Sequence, residues 1–178
     1  MKTLTLPTLL LSVLAACGAR GTAVVTPPPA SAAATKVVLA ADPGAAEGVF
    51  DAKGKGARND VVVEGRLSSA VKGQFAFTLM DTELPYCGET NKEDHCKTPW
   101  DYCCEAKERI AANSLFVEVR GADGKPMASP SLPDLRLLDK VKVKGKLEAD
   151  AHGNLVLLAN GIFRAERPKL PDDLKWPQ

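Results

Sequence analysis

"VVVEGRL" (residues 61–67) and "VKVKGKL" (residues 141–147) carry one pattern twice: apolar–x–apolar–x–Gly–x–apolar. Alternation of this kind belongs to an extended strand, because successive Cβ atoms point to opposite faces. Val61, Val63, Gly65 and Leu67 share one face, with Val62, Glu64 and Arg66 on the other. Val141, Val143, Gly145 and Leu147 are set in the same way against Lys142, Lys144, Lys146 and Glu148. A glycine inside such a run marks a bulge or a sharp bend, the device that curls a small sheet. Working outward, "QFAFTLMD" (74–81) groups Phe75, Phe77 and Leu79. "SLFVEVRG" (114–121) sets Leu115, Val117 and Val119 against Phe116, Glu118 and Arg120, and "NLVLLANGIF" (154–163) closes the series. Five half-buried antiparallel strands are predicted. The last two are joined through "DAHGN" (150–154), a turn bearing Gly and Asn that suits a hairpin.

This arrangement resembles an OB-fold, in which strands one and four carry the V-x-V-x-G pattern and strand five follows by a hairpin. The resemblance covers residues 60–164 and implies a mainly β protein, a small five-stranded Greek-key barrel. The domain is placed at residues 58–166. One departure stands out. The long insert (82–114) falls between strands two and three, whereas the family's helix lies between strands three and four. Only "PSLPDLRLLDK" (130–140) occupies that place here, and a short turn or helix is expected in it. A short helix is also expected within the insert, at "EAKERIAANS" (105–114).

Ahead of the domain, Lys2 precedes an apolar run from Leu4 to Val13, broken once by Pro7 and followed by Ala15 and Ala16. A membrane-spanning helix needs about 20 apolar residues, so the run reads as a cleaved signal peptide, residues 1–16. "LAAC" (14–17) resembles the lipobox of bacterial lipoproteins. That resemblance implies cleavage before Cys17 and lipidation of Cys17, palmitate included. Several acyl chains anchor a protein firmly, since each buried methylene contributes about 0.8 kcal/mol. The expected location is the cell envelope, at the outer membrane or the periplasmic face, with the membrane engaged through the lipid. Residues 17–57, rich in Ala, Pro and Gly, are predicted to be a flexible tether, with "KVVLA" (36–40) as an alternative edge strand. The tail (167–178) carries three prolines and should be extended, with Trp176 either docked or loose.

The chain has 23 basic and 22 acidic residues. Removing residues 1–16 takes Lys2 and no acid, which leaves the mature protein neutral. A neutral domain has no chain-wide electrostatic case for nucleic acid or an anionic surface. The basic stripe Lys142, Lys144 and Lys146 is the local exception. Single-strand binding also needs aromatic side chains on the same face. Phe75 and Phe77 fall on the apolar side of their strand, which argues against nucleic acid.

The insert holds Cys87, Cys96, Cys103 and Cys104, an even number in a chain read as exported, and that combination points to disulfides. Adjacent cysteines close a strained ring, so Cys103 and Cys104 should each reach back to Cys87 or Cys96, in either of two pairings. Each clasp contributes about 3 kcal/mol in the chain-entropy model. The competing reading is a copper or zinc site using His95 and the thiolates. The gaps of eight, six and no residues between the cysteines lack the paired spacing of structural zinc sites, and no cofactor is expected. Redox catalysis and covalent haem both lack their C-x-x-C signature. Tyr86, Trp100 and Tyr102 sit among the cysteines, either covering them or forming a ligand-facing aromatic patch.

His95 and His152 are the only histidines, and Ser68, Ser69, Ser129 and Ser131 lie outside any G-x-S-x-G elbow, so no catalysis is expected. "LPYCGE" and "TPWDYCCE" are similar to segments of uncharacterised bacterial envelope lipoproteins with an OB-like fold. The expected function is a lipid-anchored binding or structural module of the envelope, with an envelope protein or glycan as partner. Metal binding through the insert, and nucleic-acid or oligosaccharide binding by the barrel, are the alternatives.

Overall fold

A computed structural model describes residues 32–87, 89 and 101–169. Its elements, in chain order, are α1 (Ala32–Thr35), β1 (Glu47–Gly48), α2 (Val49–Lys55), β2 (Arg58–Ala70), β3 (Ala76–Met80), α3 (Lys107–Ala112), β4 (Ser114–Glu118), β5 (Lys140–Ala149) and β6 (Leu155–Glu166). The sheet runs β1-β2-β3-β4-β6-β5, and β5 returns to pair with β2, closing five strands into a barrel. Every pairing within the barrel is antiparallel except β4 with β6. That order, with its single parallel contact, is the OB-like barrel expected from the sequence, with β1 added as a two-residue strand parallel to β2.

The alternating faces fold as their periodicity dictates. Val61, Val63 and Leu67 of β2 and Val141, Val143 and Leu147 of β5 are buried together with Phe75, Phe77, Leu79, Leu115, Val117 and Val119. Full burial of each such side chain stabilises by about 1.5–3 kcal/mol. Curvature comes from bulges. The β2–β3 register shifts between Leu67 and Ser69, and β5 opposes Gly161 with Lys144 but Ala159 with Gly145, which leaves Asn160 as an extra residue. The phase of β6 changes across that bulge, so Leu157 and Ala159 are buried before it and Ile162 after it. "DAHGN" forms the expected turn: Gly153 has φ 82°, and its N–H donates to the Asp150 carbonyl.

The family's helix between strands three and four is replaced by turns. Leu135 is buried and Leu132 and Leu137 pack on the same core, so this loop plugs the barrel. It is fixed where Leu138 N–H donates to the Leu67 carbonyl and Leu67 N–H to that of Asp139. The buried Asp139 carboxylate accepts two bonds from Arg167, at 2.8 and 2.7 Å, so the start of the tail is tied to the barrel. Trp176 lies outside the described residues.

The described structure begins ahead of the expected domain boundary at residue 58. Part of the expected tether packs on the barrel: Val38 bridges Ile162, and Ala34, Val49 and Ala52 are wholly buried. Small side chains make this packing close. A Cβ on Gly161 would lie 2.8 Å from a methyl of Leu39. The edge-strand reading of residues 36–40 survives as that single bridge.

Candidate functional site

The insert leaves the barrel at the end of β3 and returns at β4. At its start the buried Asp81 carboxylate accepts from the N–H groups of Phe50 and Glu83, at 2.8 and 2.9 Å, and so caps the first turn of α2. At its end Lys53 of α2 donates its ammonium to the carbonyls of Ala111 and Ser114. Burial pushes the Lys53 pKa down. One short helix thus brackets both ends of the insert.

Arg66, on the outer face of β2, fastens the first arm. Its guanidinium donates to the carbonyls of Thr82 and Leu84 at 3.0 and 3.3 Å and to the Glu89 carboxylate at 2.6 Å. It also lies 5.3 Å from the centre of the Tyr86 ring, a cation–π distance. The second arm is held by Tyr102, which is 5 % exposed and packs on Met80 and Leu84, with Tyr86 and Ile110 alongside. The Cys87 N–H joins the arms by donating to the Asp101 carbonyl at 2.8 Å. Burial pushes the Tyr102 phenol up to about 12, with the nearby Arg66 charge opposing the shift, and the hydroxyl has no hydrogen-bond partner among the described residues.

These restraints bring three sulfurs together. Cys87 Sγ lies 3.5 Å from Cys103 Sγ and 3.9 Å from Cys104 Sγ, and all three lie within 4.8 Å of one another. Cys87 is buried, whereas Cys103 and Cys104 are exposed on the Tyr102–Glu105 turn. No S–S bond joins the three, whose separations exceed the roughly 2.05 Å of a disulfide. The expected pairing sets one of Cys103 and Cys104 against Cys87, and both lie beside it, with no S–S bond among these three described cysteines. Cys96, His95 and Trp100 lie outside the described residues, as does Cys17.

Beside this cluster a groove runs over the outer face of β2 and β3, lined by Ser68, Ser69, Thr78, Asp101, Tyr102 and Ser114. Ser69 donates to the Thr78 hydroxyl at 3.0 Å. A second groove, between α2 and the barrel, contains Glu47, Asp51, Glu64 and Glu83 with the exposed Phe50.

The three lysines of the basic stripe do not act as one cationic surface. Lys142 pairs with Asp42 at 2.7 Å and also donates to the Gly44 carbonyl, and Lys146 pairs with Glu148 at 2.8 Å. Lys144 is exposed, and no ion pair to it is found among the described residues. Tyr86 and Tyr102 brace the insert, and Tyr102 also borders the groove over β2 and β3. Sequence reading missed Arg66, Asp81, Lys53 and Asp42.

The fold and site define a class, an OB-like barrel whose insert is clamped to the outer wall of its first two barrel strands. No protein-family model matches the chain, and no curated protein matches it.

Proposed function

We propose that this chain is a lipid-anchored, extracytoplasmic binding and structural module of the cell envelope, without catalysis. The signal-like amino terminus and the "LAAC" sequence support anchoring through Cys17. The observation that carries the binding role is the groove between the insert and the β2–β3 wall, which reaches Ser114 of β4; barrels of this class hold oligosaccharides and oligonucleotides on the face of their second and third strands, here β3 and β4. Its lining of serine and threonine hydroxyls, one carboxylate and apolar Met80, Ile110 and Leu137 suits an uncharged polar chain. The paired lysines disfavour nucleic acid, whose affinity rests on phosphate neutralisation. An envelope glycan is the favoured occupant.

The test is co-sedimentation of the full chain with purified envelope glycan, comparing the native protein with Thr78→Arg and Ser69→Arg. Both positions border the groove and neither belongs to the core. The native protein should sediment with the glycan, and both variants should remain in solution with unchanged melting temperatures. Equal sedimentation of all three contradicts the groove as the binding surface.

A further inference from the structure

We propose that Cys87, Cys103 and Cys104 form a three-thiolate site for Cu(I). This goes beyond the glycan-binding reading and does not depend on it. The argument begins with the size of the sulfur triangle. A metal at the centre of three sulfurs, bonded at about 2.3 Å to each, holds them about 4.0 Å apart; four sulfurs at the corners of a tetrahedron stand about 3.8 Å apart. The sides measured here are 3.5 Å, 3.9 Å and no more than 4.8 Å. Sulfurs in that arrangement need to move by only some tenths of an ångström to close on an ion.

Preorganisation is the second argument. The three sulfurs come from two arms of the insert, and each arm is fixed to the barrel by contacts that do not involve sulfur. Arg66 holds the carbonyls of Thr82 and Leu84, Tyr102 is packed on Met80 and Leu84, and the Cys87 N–H spans to Asp101. The site is therefore assembled before an ion arrives, which reduces the ordering cost of binding. Buried Cys87 forms its floor, and exposed Cys103 and Cys104 form a rim through which a cation can pass from a donor by ligand exchange.

Ligand chemistry selects the ion. Three thiolates are a soft donor set, and soft thiolate ligands favour Cu(I), Zn(II) and iron–sulfur clusters. Zn(II) takes four ligands in structural sites, whereas a d10 Cu(I) ion is complete with three sulfurs. No other carboxylate or histidine joins the three cysteines in a metal-sized cluster among the described residues. On binding, each thiol releases its proton to solvent and no electron is transferred. An S–S bond from Cys87 to either neighbour removes two of the three ligands, so the clasp and the metal site are mutually exclusive fates of the same sulfurs.

The experiment uses the full chain extracted from membranes under anaerobic conditions. It is loaded with Cu(I) alone or Zn(II) alone and challenged with a Cu(I) or Zn(II) chelator. Retained metal is counted by elemental mass spectrometry, and the thiolate-to-copper charge-transfer band is recorded. The native chain should retain one Cu(I), with the band. A Cys103→Ser/Cys104→Ser variant, altered only at the exposed rim, should lose at least about 100-fold in Cu(I) affinity at an unchanged melting temperature. Four results overturn the proposal: no retention by the native chain, equal retention by the double variant, preferential retention of Zn(II), or isolation of the protein with Cys87 already bonded to Cys103 or Cys104.

Discussion

At Gly145 a methyl group would sit 2.1 Å from the carbonyl oxygen of Leu158, closer than any real contact allows. The glycine is required because β5 and β6 cross at the bulge around Asn160, and a Cβ would force the two backbones apart. Gly145→Ala should cost about 3 kcal/mol, the upper end for overpacking a dense core, with chemical denaturation as the check. Tyr102 gives the residue-scale pH response. Burial keeps its phenol neutral up to about 12 in the fold, against 10.0 when unfolded. The folded state therefore takes on this charge later than the unfolded chain, and stability is complete below pH 10 and declines as pH rises from about 10 through 12. The loss should approach about 2–3 kcal/mol, from 1.36 kcal/mol per pKa unit. Tyr86, raised by its own burial, is the only other phenol in the chain. Phenolate absorbance of the native protein at pH 10 should therefore be lower than that of the unfolded chain. A full phenolate signal from native protein at pH 10 would contradict the placement of both rings.

Among elements, the strands were legible because period-two alternation is a local property, and each face predicted from it is the face found buried. The two in-strand glycines also disclosed where the sheet closes: Gly65 of β2 pairs with Val141, and Gly145 of β5 with Val61. The clamp on the insert was not legible. Arg66 reads as an ordinary solvent-facing residue of an alternating strand, and its bonds to Thr82, Leu84 and Glu89 depend on a turn of the chain that no spacing announces. Asp81 and Asp139 read as loop acids, yet both are buried and fully engaged with donors. Removing Arg66 leaves two carbonyls and a carboxylate without their donor. Arg66→Ala should lower stability by about 2–4 kcal/mol, since bonds from charged donors contribute about 1.5–3 kcal/mol each. The loss should be local first, with amide exchange rising at residues 84–87 and 101–105 before it rises in β5 and β6. Uniform exchange rates across the insert and barrel in both proteins would show that Arg66 does not hold the arms.

For the whole molecule, the largest gap between sequence and structure lies in residues 32–57. Their Ala, Pro and Gly content gives no periodic apolar face, so composition assigned them to a tether. Packing is nonetheless favourable because small side chains allow close approach and the few larger ones are well placed: Val49 is fully buried, and Leu39 lies against Gly161. Arg58 donates to the carbonyls of Ala52 and Gly56 and pairs with Glu47, which fixes α2 at the mouth of the barrel. A chain beginning at residue 58 should be less stable than one beginning at residue 32 by about 3–5 kcal/mol, the transfer energy of Val49 and its smaller neighbours. Equal melting midpoints would mean that the segment rests on the barrel without supporting it.

In the proposed function a lipid on Cys17 places the barrel at a membrane surface, with residues 18–31 between the two. That placement rests on the anchor. The most direct measurement is therefore the intact mass of the protein extracted with detergent from the membranes of its own host. The account predicts a chain beginning at Cys17 and heavier than residues 17–178 by a diacylglyceryl group and an amide-linked acyl chain, with Cys17→Ser released into the soluble fraction. An unmodified Cys17, in a chain cleaved elsewhere or not at all, would contradict it.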